Sequence, residues 1–222
     1  RHAITKLAQW QFCATEQATQ RVRQMGEAHA HNTGCPRLDL ARPFLGLPRG
    51  RDILVIQHPV TTEWGQAESQ MRTTLDAVER VRGDRQVHLW WSNADAGCEA
   101  ITQAVRSSHA TYQTHRNLPP ERFLEMLATC AVIVGNSSAA IREGSFLGTP
   151  AVNVGTRQSM RERASNVTDI TCDTREIAFA MQGWLAEPTP NRSNLYGDGH
   201  SGPRIAELLA GELPPIQKKW VT

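Results

Sequence analysis

The sequence predicts an α/β fold built on a parallel sheet with helices on both faces. Two observations carry this expectation. Short apolar runs alternate with helical patterns along most of the 222 residues, which implies βαβ crossovers. Several of those runs are apolar at nearly every position, as strands buried on both faces require.

Element by element, a helix is expected near residues 3–9 and a short strand at WQFCAT (10–15). The helix at EQATQRVRQMG (16–26) ends in Gly26, a usual left-handed stop. The Pro- and Gly-rich stretch 32–50 breaks any period and reads as a linker between domains. DILVIQHP (52–59) is a buried strand ended by proline, followed by a helix at 66–82 and a strand at QVHLWWS (86–92). A helix near 98–107 and a short strand near 111–115 follow. The next helix, 120–130, has two prolines before its first turn. AVIVG (131–135) is a strand, 138–147 one helix and PAVNVG (150–155) a strand. Helices at 174–187 and 203–209 complete the reading, with no internal repeat.

Hydrophobic residues make up 40% and charged residues 21%, with a net charge of +2. That is the profile of a globular protein with no electrostatic pull toward nucleic acid or a membrane. No apolar run approaches the roughly 20 residues of a bilayer span. No charged stretch followed by an apolar run opens the chain, so a signal peptide is not expected. The chain begins at Arg1, inside a helical pattern, and is read as a fragment. Its 5 cysteines are odd in number, widely spaced and never in a C-x-x-C pair, which points to reduced thiols and a cytoplasmic protein. The sequence holds no H-x-x-x-H, P-loop or G-x-S-x-G, so neither a metal site nor a hydrolase elbow is expected.

In open parallel sheets ligands bind beyond the carboxyl ends of the strands, so the residues just after each strand matter most. AVIVG is followed by Asn136-Ser137-Ser138 and a helix. The free N–H groups and dipole of a helix start favour an anion such as a diphosphate. Glu143, one turn on, suits the two hydroxyls of a ribose. The same residues also read as plain helix caps and a solvated glutamate. PAVNVG leads to Arg157, whose guanidinium matches phosphate geometry. With Arg161 and Arg163 nearby, it also reads as part of a basic surface loop. His58 and Asn93 end two further strands, and His2 lies in the first turn. His109, His115 and His200 are read as surface residues, and Trp90-Trp91 as core or interface residues.

Together, RHAITKLA (1–8), QHPVTTE (57–63), NADAG (93–97), GNSSAAIREGSFLGTPAVNVGTRQ (135–158) and YGDGHSGPRI (196–205) resemble the UDP-N-acetylglucosamine 2-epimerase family. His58-Pro59-Val60-Thr61 stands where non-hydrolysing relatives carry an H-R-R-E-N-like stretch, so the resemblance is to the hydrolysing branch. The resemblance implies a GT-B fold of two Rossmann-like domains. Residues 1–34 would be the tail of the N-terminal domain, most of which is missing. Residues 35–195 would be the UDP-binding domain, and 196–222 a C-terminal helix packing back toward the first domain.

The implied reaction converts UDP-N-acetylglucosamine and water to N-acetylmannosamine and UDP, for sialic acid-type sugar biosynthesis. It needs no cofactor and no metal. By position, His2 and Arg157 would face the diphosphate and Ser137 and Ser138 would hold it. Glu143 would hold the ribose, and Asn93 and the backbone at Leu118 would line the nucleotide site. His58 joins His2 and Arg157 as a catalytic candidate. The family's catalytic carboxylates belong to the N-terminal domain. A homo-oligomer, dimer or tetramer, is expected of the full-length protein. The helix after NADAG carries Gln103 and Arg106, with only one of two expected arginines, which argues against CMP-sialic acid feedback. The alternatives are a hydrolysing epimerase of a modified sugar such as UDP-diacetamidobacillosamine, a GT-B glycosyltransferase, and a nucleotide-binding module without catalysis.

Overall fold

A computed structural model describes residues 2–211, 214, 217 and 218. Arg1, which opens the RHAITKLA segment, and most of the stretch after Gly211, which closes the 196–222 segment, lie outside the described residues. The chain divides into two compact units, Arg1–Pro43 with Asn194–Thr222, and Phe44–Ser193.

The first unit begins with α1 (His2–Leu7), β1 (Gln11–Cys13), α2 (Glu16–Gln24), β2 (Ala30–Asn32) and α3 (Arg37–Ala41). Thr15 caps α2 by accepting the N–H of Ala18 at 3.1 Å. β1 and β2 pair in parallel. Neither β2 nor α3 is visible as a period in the sequence. β2 has 3 residues, and α3 lies inside the stretch read as a linker. A helix of 5 residues is too short to show a 3.6-residue repeat.

The second unit contains β3 (Ile53–Ile56), α4 (Ala67–Arg82), β4 (Val87–Trp90), α5 (Cys98–Arg106), β5 (Gln113–His115), α6 (Pro120–Thr129) and β6 (Val132–Gly135). It continues with α7 (Ser138–Ile141), α8 (Glu143–Leu147), β7 (Ala151–Val154), β8 (Val167–Ile170) and α9 (Thr174–Ala186). Its six strands are all parallel, in the order β5-β4-β3-β6-β7-β8. Every residue of β3, β4, β6 and β7 is buried, which explains why these strands are apolar except at His88 and Asn153. Met71, Leu75 and Val78 of α4, Ile101 and Ala104 of α5 and Ile177 and Met181 of α9 pack on the sheet. Burying each of the larger side chains contributes about 1.5–3 kcal/mol.

After β3 the chain builds outward through β4 to β5, returns, and lays β6 on the other side of β3. The direction of winding therefore reverses between β3 and β6, and such a reversal opens a crevice at the carboxyl edge.

α10 (Ser201–Ala210) completes the first unit. Its first backbone N–H groups, at Ser201 and Gly202, donate to the carboxylate of Asp39 at 2.9 and 2.7 Å. Among the described residues no helix is long and apolar enough to cross a membrane, and no cluster of three or more His, Cys, Asp or Glu is placed to hold a metal ion.

Three sequence expectations are corrected. The helix expected over 138–147 breaks at Arg142 (φ −88°, ψ −69°) into α7 and α8. β8, not expected as a strand, pairs with β7 at the sheet edge. His115 is not a plain surface residue: its ring packs 4.7 Å from that of Trp90 and 5.3 Å from that of His88.

Candidate functional site

The register of the sheet sets Trp90, Ile56, Gly135 and Asn153 side by side at the carboxyl ends of β4, β3, β6 and β7. The residues that follow each therefore emerge at one edge of the second unit.

Asn136, directly after β6, is the hub of that edge. Its side-chain oxygen accepts the backbone N–H of His58 at 2.8 Å, and its side-chain NH2 donates to the His58 carbonyl at 2.8 Å. This two-way bond ties the β3 and β6 loops together at the winding reversal. The Asn136 carbonyl accepts from Gln158 Nε2 at 2.7 Å and Arg157 Nη1 at 3.3 Å, which draws in the β7 loop. At 1% exposure a half-satisfied asparagine would be costly, so the arrangement is rigid. In the sequence Asn136 reads only as a helix cap. A buried amide bonded to a loop 78 residues away leaves no local signal.

Ser137 caps α7, its hydroxyl oxygen accepting the Ala139 N–H at 3.3 Å. Arg142 Nη2 donates to the Ser138 hydroxyl at 3.3 Å. Because α7 has 4 residues, little macrodipole backs its N-terminus. What this turn offers an anion is its local N–H and O–H groups and neighbouring charge. Glu143 is 1% exposed, which overturns the reading of it as a solvated helical residue. Its Oε2 lies 3.7 Å from Arg142 Nε.

Arg157 Nη2 lies 3.8 Å from Asp95 Oδ2 in the loop after β4, and both side chains are partly exposed. Thr156, beside it, donates through its hydroxyl to Glu63. Arg163 is not loose decoration. It pairs with Asp169 at 2.9 Å and donates to the Gln158 carbonyl at 2.9 Å, bracing the loop that carries Arg157. Asp95 and Glu63 were not singled out in the sequence, where each is one carboxylate in a polar turn.

His58 is buried at 8% exposure. Its Nδ1 accepts the backbone N–H of Asn93 at 3.2 Å, which leaves the proton on Nε2. Burial first, then the positive charge of Arg157, push the imidazole down to about 4, with Asp95 opposing. It is therefore a neutral N–H donor at pH 7.

That depression has a consequence for stability. The unfolded histidine, near 6.5, takes up its proton before the folded one does, so stability is in place above pH 6.5 and drains as pH falls toward 4. The full shift is worth about 3 kcal/mol. Denaturant unfolding at pH 7 and 4.5 should show wild type losing about 2 kcal/mol more than His58→Gln. Parallel losses would mean that the imidazole is not held neutral by the fold.

Asn93 follows β4 and is exposed, joining the edge through its backbone. Leu118 lies half-buried in the loop between β5 and α6. The hydrogen bonds above link His58, Asn93, Asn136 and Arg157 into one cluster, with Ser137 and Ser138 next along the chain and Glu143 buried in α8. They do not reach Leu118. His2 is an exposed residue of α1, in the other unit. Beside the cluster, Pro59, Val60 and Trp64 face Ala94–Ala100 across a cleft of about 470 Å³.

A family model described as UDP-N-acetylglucosamine 2-epimerase matches residues 1–210. The chain belongs to the UDP-N-acetylglucosamine 2-epimerase family. It is 31% identical to the UDP-N,N'-diacetylbacillosamine 2-epimerase (hydrolyzing) of Legionella pneumophila, over 94% of this chain and 59% of that protein. It is 33% identical to the UDP-N-acetylglucosamine 2-epimerase of Neisseria meningitidis, over 82% and 52%. The chain thus spans roughly half to three fifths of the relatives it matches. Among solved structures, the S. aureus MnaA–UDP complex superposes with a TM-score of 0.73 at 14% identity, covering 94% of this chain and 61% of that one. The Neisseria meningitidis epimerase bound to UDP-GlcNAc gives 0.71 at 16% identity, covering 94% and 63%. The fold is that of these GT-B epimerases.

Proposed function

We propose that the complete protein is a hydrolysing UDP-N-acetylglucosamine 2-epimerase and that the second unit of this chain is its UDP-binding domain. The observation that carries the proposal is the cluster at the winding reversal, where one guanidinium and a neutral imidazole stand over a rigid asparagine hub. That is the equipment for holding a diphosphate, in a chain that belongs to this family.

Arg157 and the Nε2–H of His58 bind the diphosphate, with the hydroxyls and backbone N–H groups of Ser137 and Ser138. Glu143 holds the ribose, and Asn93 and Leu118 border the nucleotide. The part of His2 rests on the family resemblance alone. In the reaction the C1–O bond breaks with its electron pair leaving on UDP, a base removes the C2 proton, and a C1=C2 double bond forms. Water then adds oxygen to C1 and hydrogen to C2 from the opposite face, giving N-acetylmannosamine. The work of this chain is to stabilise charge on the departing diphosphate. The base and acid at C2 are not assigned to its residues. The residue segments 1–34, 35–195 and 196–222 are the domain division we propose, with Phe44–Ser193 as the compact body of the middle segment. We place the enzyme in the cytoplasm, as a dimer or tetramer, supplying a precursor of sialic acid-type sugars.

The Legionella relative supports a second reading, in which the sugar is UDP-N,N'-diacetylbacillosamine. Incubating the complete protein with each sugar nucleotide, without acceptor, should release UDP and a free sugar inverted at C2, fastest for UDP-N-acetylglucosamine. Faster turnover of the diacetylated sugar moves the assignment to that substrate. No free sugar from either, or transfer only to an added acceptor, overturns both readings.

A further inference from the structure

We infer that Asp95 is a positioning residue that weakens the grip of Arg157 on the diphosphate, so that UDP can leave after the reaction. The inference rests on the proposal that a diphosphate sits at Arg157.

The argument starts from charge. Arg157 is the one basic side chain that the described hydrogen bonds attach to the Asn136 hub. Its Nη2 stands 3.8 Å from Asp95 Oδ2. The next loop residue back, Thr156, is tied to a second carboxylate, Glu63. These ties differ in kind. Glu63 takes hydrogen bonds from the neutral donors Thr156 and Gln70, so it fastens the loop. Asp95 meets the guanidinium itself, the group a phosphate would need.

A pair at 3.8 Å is too long for a bidentate fork, which has N–O distances of about 2.7–2.9 Å. The guanidinium is thus aimed by Asp95 and not locked by it. A diphosphate arriving at Arg157 shares that cation with a carboxylate, and the two anions repel through a partly screened medium. Asp95 also lines the adjoining cleft together with Glu63 and Glu99, and among the described residues lining it none is basic. That wall repels a second anion, so a diphosphate is confined to the Arg157 side. An enzyme that must discharge UDP on every turnover gains from such a counter-charge when product release limits the rate.

The consequence has an uncommon sign. Asp95→Asn keeps the size of the side chain and removes its charge, so it should tighten UDP and inorganic pyrophosphate alike, by roughly three- to tenfold. Damage to the loop would instead weaken both. In turnover the variant should show a lower KM, a lower kcat and stronger inhibition by UDP. Asp95→Glu, which keeps the charge, should stay near wild type.

Calorimetric titration of UDP and pyrophosphate into the complete protein, as wild type, Asp95→Asn, Asp95→Glu and Arg157→Ala, tests this. Tighter binding to Asp95→Asn alone, with Arg157→Ala weakened, supports the inference. Binding to Asp95→Asn that is equal to or weaker than wild type overturns it and leaves the diphosphate site standing. If wild type binds neither ligand, or Arg157→Ala binds as well as wild type, the diphosphate site falls and the inference with it.

Discussion

Arg157→Ala in the complete protein should lower kcat by about 100-fold or more, and not only raise KM. Negative charge builds on the leaving oxygen as the C1–O bond stretches, so a cation fixed beside it is worth more in the transition state than in the bound substrate. The guanidinium is aimed by the Asn136 carbonyl at 3.3 Å and by Asp95 at 3.8 Å, which limits how far it must reorient during the step. Arg157→Lys should recover part of the loss, because an ammonium supplies the charge without the two-pronged geometry. The neighbouring arginines should behave differently. Arg163 braces the loop through Asp169 and the Gln158 carbonyl, so Arg163→Ala should raise KM and lower stability with a smaller change in kcat. Arg161→Ala should do least. Steady-state kinetics on the four variants separates these effects. A normal kcat in Arg157→Ala, or equal defects in all three alanine variants, would mean that the loop acts through diffuse positive charge.

The sheet was legible in the sequence because its central strands are buried on both faces. ILVI in β3 and the VIV of β6 have no polar position to hide them. The elements that escaped are short or broken. β2 has 3 residues, β8 lies at an edge where only partial burial is needed, and the break between α7 and α8 falls at Arg142, a good helix former. The site followed the same division. His58, Asn93, Ser137, Ser138 and Arg157 could be picked out because they stand just after strands or open a helix. Asn136 was seen as a cap and not as a hub, and Asp95 was not seen. Their roles come from partners on other strands, brought together only by the parallel register.

Gly135→Ala should abolish stable folding of the second unit, and the reason lies in that register. Gly135 ends β6 opposite Ile56 of β3, at the winding reversal. Its φ is +122°, and a Cβ there would lie 2.2 Å from the Ile56 carbonyl oxygen and 2.7 Å from its carbon. Both are backbone atoms of a fully buried strand, so no side chain can swing aside. Relief requires β3 and β6 to part where Asn136 bonds to both sides of His58. Losing that closure and a strained backbone together should cost more than about 4–5 kcal/mol, the range reached only by severe core lesions and close to a domain's whole stability. Two other glycines give the scale. Gly155 has φ +74° and open space around its Cβ position, so Gly155→Ala should cost only the left-handed strain, about 1–2 kcal/mol. Gly183 lies in α9 with nothing within 4 Å of a built Cβ, so Gly183→Ala should be neutral or stabilise by up to about 1 kcal/mol. Denaturant unfolding followed by circular dichroism would rank the three. If Gly135→Ala unfolds at the wild-type midpoint, β6 does not approach β3 as closely as described, and the hub built on that approach would have to be abandoned.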